Sequence, residues 1–204
     1  MDEVIRFPSW RNEVELRGGV VYKRHGSEEA AAREAENLLA LCAKGVAVPR
    51  LLARKGAVLE LEYLPGATLP EWIARGGYDP AALALALCGW FAAFYAAVPW
   101  RRADGNGRNF LYDGARVASV DFEERYDAPP ACDAGRLTAF LLDYRTERPE
   151  PQAALVLLFA EEFCRRFGCR PEEVAAAREA EFAAMRARRE RFGRGGESNR
   201  SAPH

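Results

Sequence analysis

The sequence predicts an α+β fold in two lobes, a small antiparallel sheet carrying one helix followed by a mainly helical lobe. Three observations carry that expectation. Alternating, β-branched segments crowd residues 1–64, and helical apolar periodicity takes over after Pro65-Gly66. A single polar, glycine-bearing stretch with an Asp-Gly turn then interrupts the helical part.

Within residues 1–25, Glu13-Val14-Glu15-Leu16 alternates, Gly18-Gly19 marks a tight turn, and Val20-Val21-Tyr22 is β-rich before Lys23. Ser27 is a natural cap for a helix with Glu28 and Glu29 in its first turn. Its apolar face runs through Ala31, Ala35, Leu38, Leu39 and Cys42, and Gly45 stops it. Strands follow at 50–53 and 57–63, and Pro65-Gly66 is the lobe boundary, giving lobes at 1–64 and 65–192. Helices are expected at 68–75, 80–98, 133–144, 150–167 and 171–192, with a disordered tail at 193–204. Between them lie a polar loop at 101–109 and a hairpin turning at Asp113-Gly114.

Composition narrows the chemistry. A chain of 204 residues with 49% hydrophobic and 29% charged side chains can bury a full core without staples. Lys plus Arg number 29 against 30 Asp plus Glu, so a nucleic-acid or acidic-lipid partner would need a local patch. Two histidines, His25 and His204, leave no material for a multi-histidine zinc site and almost none for a Ser-His-Asp triad. His25 is read as a solvated loop residue. Five cysteines without a CxxC pair read as reduced thiols of a cytoplasmic protein. The N-terminus lacks the regions of a secretory signal, and no apolar run reaches membrane-spanning length, so no membrane partner is expected.

The polar loop and hairpin hold the unusual residues. Asp104, Asn109 and Asp121 can converge as three oxygen-bearing side chains, the donor type that Mg²⁺ prefers. A further carboxylate beside such a site can orient a hydroxyl and accept its proton, as phosphoryl transfer requires. Lys23 at a strand end, with Glu34 on the next helix, is the phosphate-binding half of the same chemistry. Helical phase favours Glu34, and Glu36 is the competing position.

The order Val21-Tyr22-Lys23, Arg33-Glu34-Ala35, Val48-Pro49-Arg50, Leu61-Glu62-Tyr63-Leu64-Pro65-Gly66, Asp104 to Asn109, and Asp121-Phe122-Glu123 resembles the protein-kinase-like phosphotransferases. The aminoglycoside phosphotransferase and choline kinase group is the nearest likeness, with the small RIO-like and tRNA-modification-type kinases close behind. It spans roughly residues 10–145. The resemblance implies a two-lobed protein-kinase-like fold and ATP with Mg²⁺ as cofactors. Lys23 would contact the α/β-phosphates and Glu34 would hold it. Glu62 and Leu64 would offer backbone hydrogen bonds to adenine, Val14 and Val21 would roof the base, and Leu111 would floor it. Asp104 would be the catalytic base, Asn109 and Asp121 the Mg²⁺ ligands, and Asp133 a buried brace for the catalytic loop.

The chain departs from the family in four places. Arg102-Ala103-Asp104 stands where the family has His-Gly-Asp or His-Arg-Asp, and Asp121-Phe122-Glu123 where it has Asp-Phe-Gly. The phosphate loop reads Pro8-Ser9-Trp10-Arg11-Asn12-Glu13, without glycine, so Ser9, Arg11 or Asn12 side chains would have to substitute for backbone. The C-terminal part is short for an aminoglycoside kinase, with little material for a substrate lobe.

The expected function is ATP- and Mg²⁺-dependent transfer of the γ-phosphoryl group to a hydroxyl of a small-molecule acceptor. The span from Asp121 to Asp133 is too short for a regulated segment of the protein-kinase type. The alternatives are a nucleotide-binding pseudokinase scaffold and a small atypical Ser/Thr kinase associated with RNA. The arginines at 186, 188, 189, 191 and 194 (Arg186, Arg188, Arg189, Arg191, Arg194) are the only candidate nucleic-acid patch. Glu179, Glu181 and Glu190 dilute it, and a solvated helix end is the preferred reading.

Overall fold

The computed structural model describes residues 4–9 and 11–198, the backbone alone at 192–198. The N-terminal lobe is built from β1 (Ile5–Phe7), β2 (Glu13–Arg17), β3 (Val20–Arg24), α1 (Glu28–Cys42), β4 (Leu51–Lys55) and β5 (Val58–Glu62). Its strands form one antiparallel sheet in the order β1-β2-β3-β5-β4. Register places Val14 opposite Lys23, Val21 opposite Leu61, and Lys23 opposite Leu59. Facing residues of an antiparallel pair lie on one side of the sheet, so these side chains share the face that looks onto α1 and the second lobe. Ser27 Oγ accepts from Ala30 N at 3.2 Å and starts α1 as its sequence anticipates.

The second lobe opens with β6 (Ala67–Thr68), α2 (Leu69–Arg75) and α3 (Pro80–Ala97). Thr68 and Glu71 form a reciprocal capping box on α2. α3 is long and apolar enough to cross a membrane, but it is the core helix: Leu83, Leu87, Trp90, Phe91 and Phe94 are buried. Trp90 stacks on Phe94 at 5.1 Å and meets Phe110 edge-on at 5.3 Å. Next come β7 (Arg101–Arg102), a 3₁₀ turn (Gly107–Asn109), β8 (Phe110–Tyr112), β9 (Val117–Ser119) and β10 (Arg125–Tyr126). β8 pairs with β6 and β9, while β10 pairs with β7.

α4 (Pro130–Asp143), α5 (Pro149–Phe167) and α6 (Pro171–Ser198) complete the chain. All three begin at a proline, whose fixed φ and missing N–H suit the first helical position. That explains why α4 starts at Pro130 rather than 133. α4 and α6 meet backbone to backbone at Gly135, where an added Cβ would lie 2.4 Å from that of Ala177. α6 continues past 193 into the stretch expected to be disordered. Trp10, the side chain of Arg194, and residues 199–204 with His204 lie outside the described side chains.

Candidate active site

The alternation of β3 turns Lys23 inward, where its ammonium meets three carboxylates. Its Nζ lies 2.7 Å from Glu34 Oε2, 2.6 Å from Asp121 Oδ1 and 3.0 Å from Glu123 Oε1. Burial alone would lower the Lys23 pKa, but the charges of Glu34, Asp121 and Glu123 outweigh it and hold the ammonium above its ordinary value. Burial likewise pushes Glu34 up, yet the contact with His25, the Lys23 charge and the Phe122 N–H pull its carboxyl down to about 2. Glu34, not Glu36, is the partner; it is buried on α1.

Two α1 side chains one turn apart fix the segment after Asp121. Glu34 Oε1 accepts from Phe122 N at 3.0 Å, and Asn37 Nδ2 donates to Phe122 O at 2.6 Å. Both backbone groups of Phe122 are thereby held, and its ring is buried in the core. Asp121 is the one described non-glycine residue with positive φ, at 68°. That left-handed conformation costs energy and is sustained by what surrounds it. Here it is bracketed by the Phe122 contacts and by Val120 N, which donates to Asn109 O at 2.9 Å.

His25 corrects the sequence reading. Its ring is fully buried, with Nε2 3.0 Å from Glu34 Oε2 and Nδ1 3.5 Å from Glu123 Oε1. Its position directly after β3 turns it inward beside Lys23, although periodicity had ended there. Neither ring nitrogen has an aligned hydrogen-bond partner among the described residues. His25, Glu34 and Glu123 present ligand atoms within 4.8 Å of one another. The Lys23 ammonium already sits against both carboxylates, so they form an ion cluster and not a metal cage.

The loop carrying Asp104 is organised by two arginines, Arg102, which the sequence leaves as loop polarity, and Arg136 of α4. Arg102 is buried; its Nε donates to Asp104 O at 3.2 Å, its Nη2 to Val120 O at 3.1 Å, and its Nη1 to Ser119 Oγ. The guanidinium lies 4.7 Å from the Phe122 ring and 4.9 Å from that of Phe110. The residue standing in place of the family's histidine thus ties the Asp104 loop to the Asp121 hairpin. Arg136 Nη1 donates to Arg102 O at 3.3 Å and Ala103 O at 3.2 Å from the other side. Asp104 itself is exposed, and its Oδ1 accepts from Asn106 N at 2.9 Å. Asn106 Oδ1 in turn accepts from Arg108 N at 3.0 Å and from Tyr144 Oη at 2.8 Å.

Asn109 and Asp121 fit a hard cation. Their donors are an amide and a carboxylate, and the backbone bond between Asn109 and Val120 keeps them on one hairpin. Ser119 Oγ also donates to Asn109 O at 2.6 Å, and Asn109 Nδ2 is buried without a partner among the described residues.

Asp133 is buried in the first turn of α4. Its Oδ2 accepts from Tyr95 Oη at 2.7 Å, while Oδ1 has no hydrogen-bond partner among the described residues. Burial raises its carboxyl to about 6, outweighing the Tyr95 hydrogen bond and the charges of Arg102, Arg101 and Arg136. A carboxyl bracing a loop by accepting several N–H groups would be lowered instead. A raised folded pKa contributes stability below the unfolded value that disappears as pH rises through about 6. Asp133→Asn is therefore expected to raise stability near pH 7.5 by about 2–3 kcal/mol. Denaturant melts should find that gain gone near pH 4; a loss of stability at both pH values would instead support a bracing role.

The residues expected at the base divide between the lobes. Val14 and Val21 are half-buried on the Lys23 face of the sheet, and Leu111 is half-buried on β8. Glu62 closes β5 with its carboxylate on Arg50, 3.0 Å from Nε, and Leu64 follows it half-buried. In the basic run, Arg188 pairs with Glu181 and Arg189 with Asp143, which leaves less free charge for a polyanion.

No family model and no curated protein matches the chain. Solved structures do. A choline/ethanolamine kinase family protein from Mesorhizobium loti is similar over 92% of this chain and 88% of its own, at 16% identity and a TM-score of 0.56. The APH(2")-IIa structure, solved as a gentamicin complex, is similar over 98% and 92%, at 11% identity and a TM-score of 0.61. WbdD, solved with the kinase inhibitor LY294002, is similar over 78% of this chain and 44% of its own, at 19% identity and a TM-score of 0.54. The sheet with its single helix, the hairpin below it and these likenesses agree: the chain has the two-lobed fold of the protein-kinase-like phosphotransferases.

Proposed function

We propose that the protein is an ATP- and Mg²⁺-dependent phosphotransferase that moves the γ-phosphoryl group to a hydroxyl of a small-molecule acceptor, acting in the cytoplasm. One observation carries this reading: Lys23 from the sheet meets both Glu34 of α1 and Asp121 of the hairpin. Lys23 binds the α/β-phosphates and Glu34 orients it. Asn109 and Asp121 hold Mg²⁺, which neutralises the β- and γ-phosphates when bound. Asp104 orients the acceptor hydroxyl and takes its proton. Adenine lies between Val14 and Val21 above and Leu111 below, with backbone hydrogen bonds from Glu62 and Leu64. Eight residues lie between Asp121 and Pro130, where α4 starts, which favours a small acceptor over a regulated protein kinase.

The test is a thermal melt with Mg²⁺ alone and with Mg·ATP, on wild type and Asp121→Asn. Asn tolerates the left-handed backbone that Asp121 requires, so the variant removes charge with little strain. A ligand at 100 times its Kd adds about 2.7 kcal/mol, a shift of roughly 5–10 °C for a chain of this size. The shift should need both Mg²⁺ and Asp121. Equal shifts in wild type and variant would remove Asp121 from the site.

A pseudokinase scaffold is the second reading, favoured by the hold of Glu123 on Lys23. It predicts the same shift with no transfer to any acceptor.

A further inference from the structure

The stretch before β2 has no glycine, yet it is fastened to the segment after Asp121 at two successive residues. Asn12 Nδ2 donates to Glu123 Oε1, and Arg11 Nη1 pairs with Glu124 at 2.9 Å. The same Glu123 oxygen lies 3.0 Å from Lys23 Nζ and 3.5 Å from His25 Nδ1. A single carboxylate oxygen is thus ringed by three nitrogens, from the loop before β2, from β3, and from the residue after it. The Glu123 side chain is only 16% exposed. The fully buried His25 ring, with no aligned partner of its own among the described residues, is turned toward that oxygen.

A carboxylate oxygen and a phosphoryl oxygen ask for the same donors. Glu34 is also fixed by the Phe122 N–H, whereas Glu123, among the described residues, is held by the side chains of Asn12, Lys23 and His25 and by no backbone N–H. We propose that Glu123 occupies the anion position formed by Lys23 and Asn12, as an internal competitor of the nucleotide phosphates, and that Asn12 is the donor replacing the missing glycine backbone. The identity of the anion as a nucleotide rests on the phosphotransferase reading; the competition itself requires only an anion. Binding then expels Glu123 and breaks its tie to Asn12.

Calorimetric titration with pyrophosphate, then with Mg·ATP, on wild type, Glu123→Gly, Glu123→Gln and the Asn12→Ala/Glu123→Gly double variant tests this. Losing a like charge next to the bound anion should tighten pyrophosphate about tenfold in Glu123→Gly. Glu123→Gln, which keeps the volume and guards against a folding defect, should move in the same direction by less. The double variant should lose most of the gain. Glu123→Gly and Glu123→Gln proteins that melt cooperatively but bind pyrophosphate no tighter than wild type overturn the proposal. So does a double variant that keeps the full gain. The expected pyrophosphate pattern without any ATP binding would leave the competition standing and sink the phosphotransferase reading.

Discussion

Asp104→Asn is expected to lower phosphoryl transfer by about 10³-fold, within the usual range for a lost general base, while the Mg·ATP thermal shift stays unchanged. The side chain is exposed and positioned by the Asn106 N–H on Oδ1. Asparagine can keep that contact through its amide oxygen, so the loop retains its shape and only the proton acceptor is lost. ATP hydrolysis in water can serve as the assay before an acceptor is known, followed by transfer to a panel of small alcohols. Unaltered turnover with an intact shift would remove Asp104 from the chemistry. Loss of the shift as well would mean that the residue shapes the nucleotide site.

Arg102→Leu is expected to cost about 3–5 kcal/mol of stability, because three acceptors lose their donor and the aromatic contacts lose their cation. For a chain of this length that is a fall of roughly 10 °C in Tm. Arg102→Lys should recover only a fraction. A point charge on a flexible stem cannot serve the Asp104 carbonyl, Ser119 and the Val120 carbonyl together. Scanning calorimetry on both variants checks this. A lysine variant as stable as wild type would show that charge, and not the planar fork, is what the core requires.

These two residues mark how far the sequence could be read. Asp104 stands out in the sequence because it lies in a polar, glycine-bearing break within helical surroundings, at fixed sequence separations from Asn109 and Asp121. Lys23 and Glu34 were legible because strand alternation and helical phase turn them the same way. Arg102 was not, because two adjacent arginines before a turn look like solvated polarity, and only the tertiary fold supplies buried carbonyls for them. His25 failed for a related reason: it follows a strand end, and its burial comes from Glu34 and Glu123, which are distant in sequence. Asn37 lies on the apolar side of α1, where a lone amide gives no period to detect. The tie between Asn12 and Glu123 spans 111 positions, and no local pattern announces it. The short strands β6, β7 and β10 were missed because two residues cannot show alternation.

The carbonyl of Ala47 accepts from Trp90 Nε1 and from Ser119 N, each at 3.0 Å. Ala47 follows α1 in the first lobe, and both donors belong to the second. This joint runs from Ala47, an exposed residue, to the buried Trp90 and Ser119, and it carries no charge, unlike the ions gathered around Lys23. The two lobes therefore form a jaw whose fulcrum is a backbone oxygen and whose biting edge is ionic. Anion binding is expected to disturb the ionic edge and to leave the two hydrogen bonds on the Ala47 carbonyl intact. Amide exchange offers a direct view of it: the Ser119 N–H should remain protected under conditions in which residues 11, 12, 123 and 124 respond to added anion.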